Sequence, residues 1–128
     1  MQYRKLTPNL MVNNMDASLK FYTEGLGFER TITVPDETPF VFAAVAAGTV
    51  EIFLNTQESG TVQAGGMSMY LEVEGLKRLH ERVQQNNIKI HIPLNETFYG
   101  MREFAVLDPD RYLVIFAERI QERIKKEK

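Results

Sequence analysis

The spacing at which apolar residues recur changes several times along the first half of the chain, and each change marks a new secondary-structure element. Residues 6–12 predict a strand. Asn14 can cap a helix, because four apolar residues recur after it at helical spacing: Met15, Leu19, Tyr22 and Leu26. Gly25 and Gly27 end this helix. The chain therefore begins with a strand followed by a short amphipathic helix.

Three further strands complete the first half. Residues 28–34 alternate β-branched and polar side chains, and a Pro-rich breaker follows them. Residues 40–47 and 50–54 read as a hairpin around Gly48. The predicted order is β-α-β-β-β.

The second half repeats this order. A strand is predicted over residues 67–73, and the helix after it carries an apolar stripe of Leu76, Leu79 and Val83. This helix ends at Asn86-Asn87, where asparagine can adopt the left-handed conformation. Three strands follow, over residues 88–94, 101–107 and 113–117. The pattern predicts an α+β fold of two tandem βαβββ modules.

Aligning the halves predicts the domain organisation. Val12 matches Val73, and Ile52-Phe53 matches Ile115-Phe116 at an offset larger by two residues. We expect one domain over residues 1–128, with module one at about 4–57 and module two at about 66–118. The turn-rich stretch between them reads as a linker. Apolar residues one helical turn apart then predict a short C-terminal helix at about 118–126: Phe116, Ile120 and Ile124.

Composition excludes several classes of function. The chain has 128 residues, 44% of them hydrophobic, which is enough to close one core. Because it has no cysteine, disulfides and thiolate metal sites are impossible. The net charge of -2 and the lack of a basic face argue against nucleic acid as a partner. The longest apolar run, residues 40–47, is far shorter than the roughly 20 residues of a membrane span, so we expect a cytoplasmic protein without a membrane partner.

Two stretches carry a resemblance to a known family. The first is Val12-Asn13-Asn14-Met15-Asp16-Ala17-Ser18-Leu19-Lys20-Phe21-Tyr22, followed by Gly25-Leu26-Gly27-Phe28; the second is Tyr99-Gly100-Met101-Arg102-Glu103-Phe104, leading into Asp108-Pro109-Asp110. Together they resemble the vicinal oxygen chelate superfamily of glyoxalase I, extradiol dioxygenases and bleomycin-resistance proteins. The resemblance implies a cupped, barrel-like mixed sheet with helices outside, and two chains pairing as a homodimer.

The resemblance also implies where a metal would bind. Its four ligand positions would fall on Thr7, Ile52, Ser68 and Ile115. Hydroxyls are poor ligands for Zn²⁺ or Fe²⁺ and isoleucine has no donor atom, so we predict no metal and no other cofactor. A slip of one residue would bring Glu51 into the closing strand, but we expect its side chain on the other face of the sheet.

The same positions predict a binding surface instead. If Thr7 faces inward, strand alternation adds Asn9 and Met11, while Tyr70 accompanies Ser68 and Leu54 accompanies Ile52. In the loop of residues 95–102, an aromatic side chain can stack on a ring, and Arg102 can meet an anion or form an ion pair with Glu96 or Glu103. The predicted ligand-binding residues are Thr7, Asn9, Ile52, Leu54, Ser68, Tyr70, Tyr99, Arg102 and Ile115. Ile52, Leu54 and Met11 fit an ordinary core equally well.

Three functions remain open. The first is a metal-independent protein of the bleomycin-resistance type that sequesters a small organic molecule in an apolar cavity. The second is an enzyme: a glyoxalase-like lyase, isomerase or dioxygenase with a divergent metal site, or a metal-independent one using Tyr70, Tyr99 or Arg102. The third is a regulatory subunit whose cavity is filled by its own side chains. We predict the first, with no residue assigned as catalytic.

Overall fold

The computed structural model describes residues 1–56 and 66–120. It divides into two compact units, Met1–Gln63 and Ala64–Lys128. The predicted linker and most of the predicted C-terminal helix lie outside the described residues. Within the described ranges, no helix is long and apolar enough to cross a membrane.

The first unit is a mixed four-stranded sheet with one helical segment. Its elements are β1 (Asn9–Val12), α1 (Met15–Lys20) with a π-helical turn (Phe21–Gly25), β2 (Glu29–Val34), β3 (Phe42–Ala47) and β4 (Val50–Thr56). The strand order is β1-β4-β3-β2, with β1 parallel to β4 and the other neighbours antiparallel. Asn14 caps α1 as predicted, because its Oδ1 accepts a hydrogen bond from the Ala17 N–H at 3.0 Å.

The second unit repeats the arrangement. Its elements are β5 (Ser68–Glu72), α2 (Leu76–Gln85), β6 (Ile90–Glu96), β7 (Met101–Leu107) and β8 (Leu113–Arg119). The strand order is β5-β8-β7-β6, with β5 parallel to β8. The predicted α+β fold and its duplicated element order are confirmed. At the predicted start of the C-terminal helix, about residue 118, β8 continues to Arg119 and pairs there with β7.

A carboxylate of the sheet caps α2. The residue before the helix is Gly75, which has a φ of 87° and no side chain to cap the first turn. Glu118 of β8 supplies the acceptors instead, at 2.7 Å from the Gly75 N–H and 3.3 Å from the Leu76 N–H. A negative charge at the positive end of the helix dipole is stabilising. This contact fixes α2 on one face of the second sheet.

Each sheet therefore has a face that packs with the helix of its own unit and an open face, which we define as the face turned away from that helix. In the second sheet, the Phe104 ring contacts His80 of α2 edge-on at 4.9 Å and Phe116 at 5.1 Å. The helix-covered faces hold the largest fully buried strand residues: Leu10, Val12, Val45, Ile52 and Leu54 in the first unit, and Phe104, Val106, Val114 and Phe116 in the second. The core of each unit lies between its sheet and its helix.

The turn before β8 contains a residue with an unfavourable backbone angle. Arg111 has a φ of 67°, in the left-handed region where an L side chain is strained. Replacing Arg111 with glycine is expected to raise the free energy of unfolding by about 1 kcal/mol, because glycine adopts this conformation without that strain. Urea unfolding of the two proteins measures the gain. Asn87→Gly is the matched control, since Asn87 has a φ of 59° but asparagine tolerates that region. An equal gain in both variants would contradict the explanation.

Candidate functional site

The register of the first sheet decides which predicted residues share its open face. Asn9 pairs with Phe53 and Met11 with Asn55 between the parallel strands β1 and β4. The Asn55 side-chain amide donates to Asn9 Oδ1, and the Phe53 ring contacts Phe42 edge-on at 5.1 Å. The open face of this sheet is thus an aromatic surface bordered by two linked amides.

Ile52 and Leu54 do not belong to this face. Leu54 pairs with Leu10 on the helix-covered side, and both Ile52 and Leu54 are 0% exposed. The structure does not bring them onto the face of Asn9, because the aligned halves are displaced by one residue in the closing strand. Since Asn9 pairs with Phe53 and Tyr70 pairs with Ile115, the true counterpart of Ile115 is Phe53.

The same displacement relocates Glu51. Its side chain alternates with Ile52 and so shares the open face with Phe53, contrary to the expected orientation. Lys5 forms an ion pair with Glu51 Oε1. A charged group therefore lies at the end of the first open face, already neutralised by a lysine.

Three polar side chains converge on the open face of the second sheet. The Oε2 atom of Glu103 accepts hydrogen bonds from the Tyr70 hydroxyl and, at 2.7 Å, from the Tyr99 hydroxyl. Tyr70 lies on β5, Glu103 on β7, and Tyr99 in the turn between β6 and β7. Ala117 of β8 lies opposite Glu103, and its methyl group leaves room for the Tyr70 ring to cross the strand. We call this group the Tyr70–Glu103–Tyr99 cluster.

The cluster fixes the protonation of its phenols. Partial desolvation and the hydrogen bond to Glu103 raise the pKa of Tyr70 well above its ordinary value. The hydrogen bond to Glu103, followed by desolvation, also raises the pKa of Tyr99. A raised pKa favours the neutral phenol, so both hydroxyls remain donors through neutral and mildly alkaline pH. Among the described residues, two neutral phenols donate to the Glu103 carboxylate and no cation forms an ion pair with it.

Apolar surface surrounds the cluster. Tyr70 is 49% exposed, Tyr99 53% and Ile92 40%, and Ile92 joins the open face through its pairing with Ala105. Ile115 pairs with Tyr70 and is half-buried, and Ser68 lies two residues before Tyr70 at the start of β5. Phe98 is 97% exposed and contacts the Tyr99 ring edge-on at 5.0 Å. The structure thus brings Ser68, Tyr70 and Ile115 onto one face, near the Tyr99 turn.

Arg102 lies apart from this group. It is opposite Glu118 in the β7–β8 pair, and Glu118 reaches α2 on the helix-covered side. Its guanidinium is 3.0 Å from Glu96 Oε2. Of the two predicted roles for Arg102, the ion pair with Glu96 is observed, and Arg102 faces away from Glu103 and Tyr70.

The sequence analysis missed Glu103, Ile92 and Phe53 as members of the open faces. A signal for Glu103 was present, because this charged residue alternates with the buried Phe104 and Val106 in a central strand. A charge in a central strand is placed on the less buried face. Finding its partner Tyr70 required the cross-strand register, since β8 lies between their two strands.

The side chains at the implied metal positions do not fit a metal. Thr7 lies two residues before β1, and Ser68 pairs with Leu113 in the β5–β8 ladder. The carboxylate closest in register to Thr7 is Glu51, which is paired with Lys5. Two hydroxyls and one neutralised carboxylate do not make a tetrahedral or facial-triad site. In residues 1–56 and 66–120, no three His, Cys, Asp or Glu side chains lie together in a group that could hold a metal.

Two βαβββ units, each a mixed sheet with β1 or β5 parallel to its last strand, define an α+β protein of the vicinal oxygen chelate class. The chain belongs to the Glyoxalase/Bleomycin resistance protein/Dioxygenase superfamily, whose family model matches residues 6–116.

Relatives of known name support this assignment. The bleomycin resistance proteins of Geobacillus stearothermophilus and Staphylococcus aureus are each 28% identical over 132 residues, covering 89% of this chain and 96% of theirs. The bleomycin-binding protein of Streptomyces verticillus, solved with copper(II)-bleomycin, is 27% identical with a TM-score of 0.67, covering 91% of this chain and 96% of its own. TioX from Micromonospora sp. ML1 has the same fold, with a TM-score of 0.79 at 17% identity, covering 91% of this chain and 99% of its own.

Proposed function

We propose that this protein binds and sequesters a small organic molecule on the open face of its second sheet, without a metal. The observation that carries the proposal is the half-exposed apolar surface around the Tyr70–Glu103–Tyr99 cluster. Exposed aromatic and aliphatic side chains next to a few oriented polar groups are the usual composition of a small-molecule site. The named relatives that bind or resist bleomycin are consistent with this class of activity.

Binding on this surface needs no chemistry beyond burial and orientation. A ligand body that covers Ile92 and the Tyr99 ring removes apolar area from water, at roughly 25 cal/mol per Å². The hydroxyls of Tyr70 and Ser68 orient it, since the Glu103 carboxylate already fixes the Tyr70 ring. Sequestration then follows from affinity alone. We further propose that the protein acts in the cytoplasm as a homodimer.

The donor chemistry of this chain supports the proposed metal independence. Thr7 and Ser68 offer neutral hydroxyls, and Leu113, the partner of Ser68, offers no donor. A metal-dependent lyase or dioxygenase of this superfamily would need carboxylate or imidazole donors that these positions lack. The proposed activity therefore makes no use of a bound ion.

Native mass spectrometry of protein purified without chelator tests the metal and assembly parts of the proposal. The expected spectrum contains a metal-free dimer. One stoichiometric divalent metal per chain would overturn the metal-independent reading and favour an enzyme.

Binding of the neutral dye Nile red tests the surface. Ile92→Asn is expected to weaken dye binding about 5-fold, the equivalent of about 1 kcal/mol of lost apolar contact. Val41→Asn is the matched control, because Val41 is 50% exposed in the first unit. Equal weakening in both variants, or no dye binding by the unaltered protein, would refute the assigned surface.

A further inference from the structure

One oxygen of the central carboxylate remains available. Both phenol hydroxyls of the cluster donate to Oε2 of Glu103. Oε1 accepts no hydrogen bond from any described residue, although Glu103 is half-buried on the open face. A carboxylate has acceptor sites on both oxygens, and Oε1 is not among the buried atoms. The two phenols therefore orient a carboxylate whose second oxygen can accept a hydrogen bond from a ligand.

We propose that the ligand is an organic cation whose protonated amine donates to Oε1 of Glu103, while its apolar body lies against Tyr99 and Ile92. This inference rests on the proposed function and specifies its ligand. Hydrogen bonds between an ammonium group and a carboxylate are roughly twice as strong as neutral ones. The geometry favours a primary or secondary amine, because a quaternary ammonium has no N–H to donate.

The charges around the cluster point the same way. Arg102 is on the helix-covered side and is paired with Glu96. Arg119 ends β8 on the open side but forms no ion pair within 4.0 Å of Glu103 in the described chain. Glu72 lies in the same cross-strand row as Glu103, on the other side of Ala117. Glu72 therefore adds to the attraction of Glu103 for amines and to its repulsion of carboxylates.

The aromatic rings supply the second element of recognition. The Tyr99 ring borders the carboxylate, and the fully exposed Phe98 ring contacts it edge-on. A cation near the face of an aromatic ring gains attraction from the ring quadrupole. Aromatic rings beside the Glu103 carboxylate therefore favour a cation with an apolar body over a simple inorganic ion.

Three probes of one shape test the charge. Naphthylmethylamine, naphthylmethanol and naphthoate share a ring and differ in being cationic, neutral and anionic at neutral pH. We expect calorimetric titration to rank the amine about 10-fold above the alcohol, with naphthoate weakest. In nitrogen-labelled protein, the amine is expected to shift the backbone amide signals of Glu103 and Tyr99.

Substitutions assign the preference to one atom. Glu103→Gln is expected to bring the amine down to the affinity of the alcohol, and Glu103→Asp to restore part of the preference because it keeps the carboxylate. Glu81→Gln removes one exposed negative charge from α2 and is expected to leave the 10-fold preference intact. Thermal unfolding of each variant establishes that it is folded.

The outcomes separate this inference from the proposed function. Equal binding of amine and alcohol with intact Nile red binding would overturn the cation assignment and leave the binding function standing. An equal loss of the amine preference in Glu81→Gln and Glu103→Gln would show that the preference depends only on net charge. That result would overturn the role of Oε1. Failure of all three probes and of Nile red would overturn both.

Discussion

Ile52→Asp is expected to destabilise the protein by about 3–5 kcal/mol, the cost of leaving one uncompensated charge in a protein interior. Ile52 is a β4 residue that is fully buried on the helix-covered face of the sheet, opposite Val45 in the neighbouring strand. Since small domains have a total stability of about 5–15 kcal/mol, the substitution removes a large fraction of the stability. Circular dichroism with urea titration measures the loss.

Ile115→Asp is the matched control for this result. The sequence pattern matches the two isoleucines, but Ile115 is half-buried on the open face and pairs with Tyr70. Water reaches a charge there, so the expected loss is below about 2 kcal/mol. Equal destabilisation at both positions would mean that Ile52 and Ile115 lie on equivalent faces of their sheets. The one-residue displacement between the modules would then be refuted.

Phe104→Ala is expected to cost about 3–5 kcal/mol, the usual range for removing a buried aromatic side chain. Phe104 is 0% exposed and contacts both His80 of α2 and Phe116 of β8. Its removal leaves a cavity where the helix packs on the second sheet. The expected observation is a lower urea midpoint together with weaker amide-exchange protection in α2.

Tyr99→Ala provides the contrast on the other face of the same sheet. Because Tyr99 is 53% exposed, its removal should change the free energy of unfolding by less than about 1 kcal/mol. Nile red binding should nevertheless fall, since the ring belongs to the proposed surface. A large stability loss in Tyr99→Ala with unchanged dye binding would make Tyr99 a structural residue and contradict the proposal.

Local sequence signals predicted the elements because those signals act over a few residues. Asn14 caps α1, and Asn87 ends α2 with a φ of 59°. The helical apolar residues Met15, Leu19, Tyr22 and Leu26 are all buried as their spacing indicates. Each of these outcomes depends on backbone geometry within one or two turns.

The open faces were harder to predict because strand alternation has a period of two. An alignment error of one residue between the modules exchanged Ile52 for Phe53 and concealed the orientation of Glu51. The spacing shared by the two modules does not reveal such an error, since isoleucine and phenylalanine fit either face of a strand. The hydrogen-bonded register between strands removes the ambiguity.

The sequence by itself determined the order of elements, the duplication and the superfamily, because period and turn chemistry are written along the chain. The tertiary structure alone decided which side chains meet. Tyr70 and Glu103 are 33 residues apart and lie on strands separated by β8, so only the folded sheet brings the phenol to the carboxylate. Arg102 and Glu103 are adjacent in sequence, yet the pleat of β7 turns them to opposite faces and gives one an ion pair and the other the candidate site.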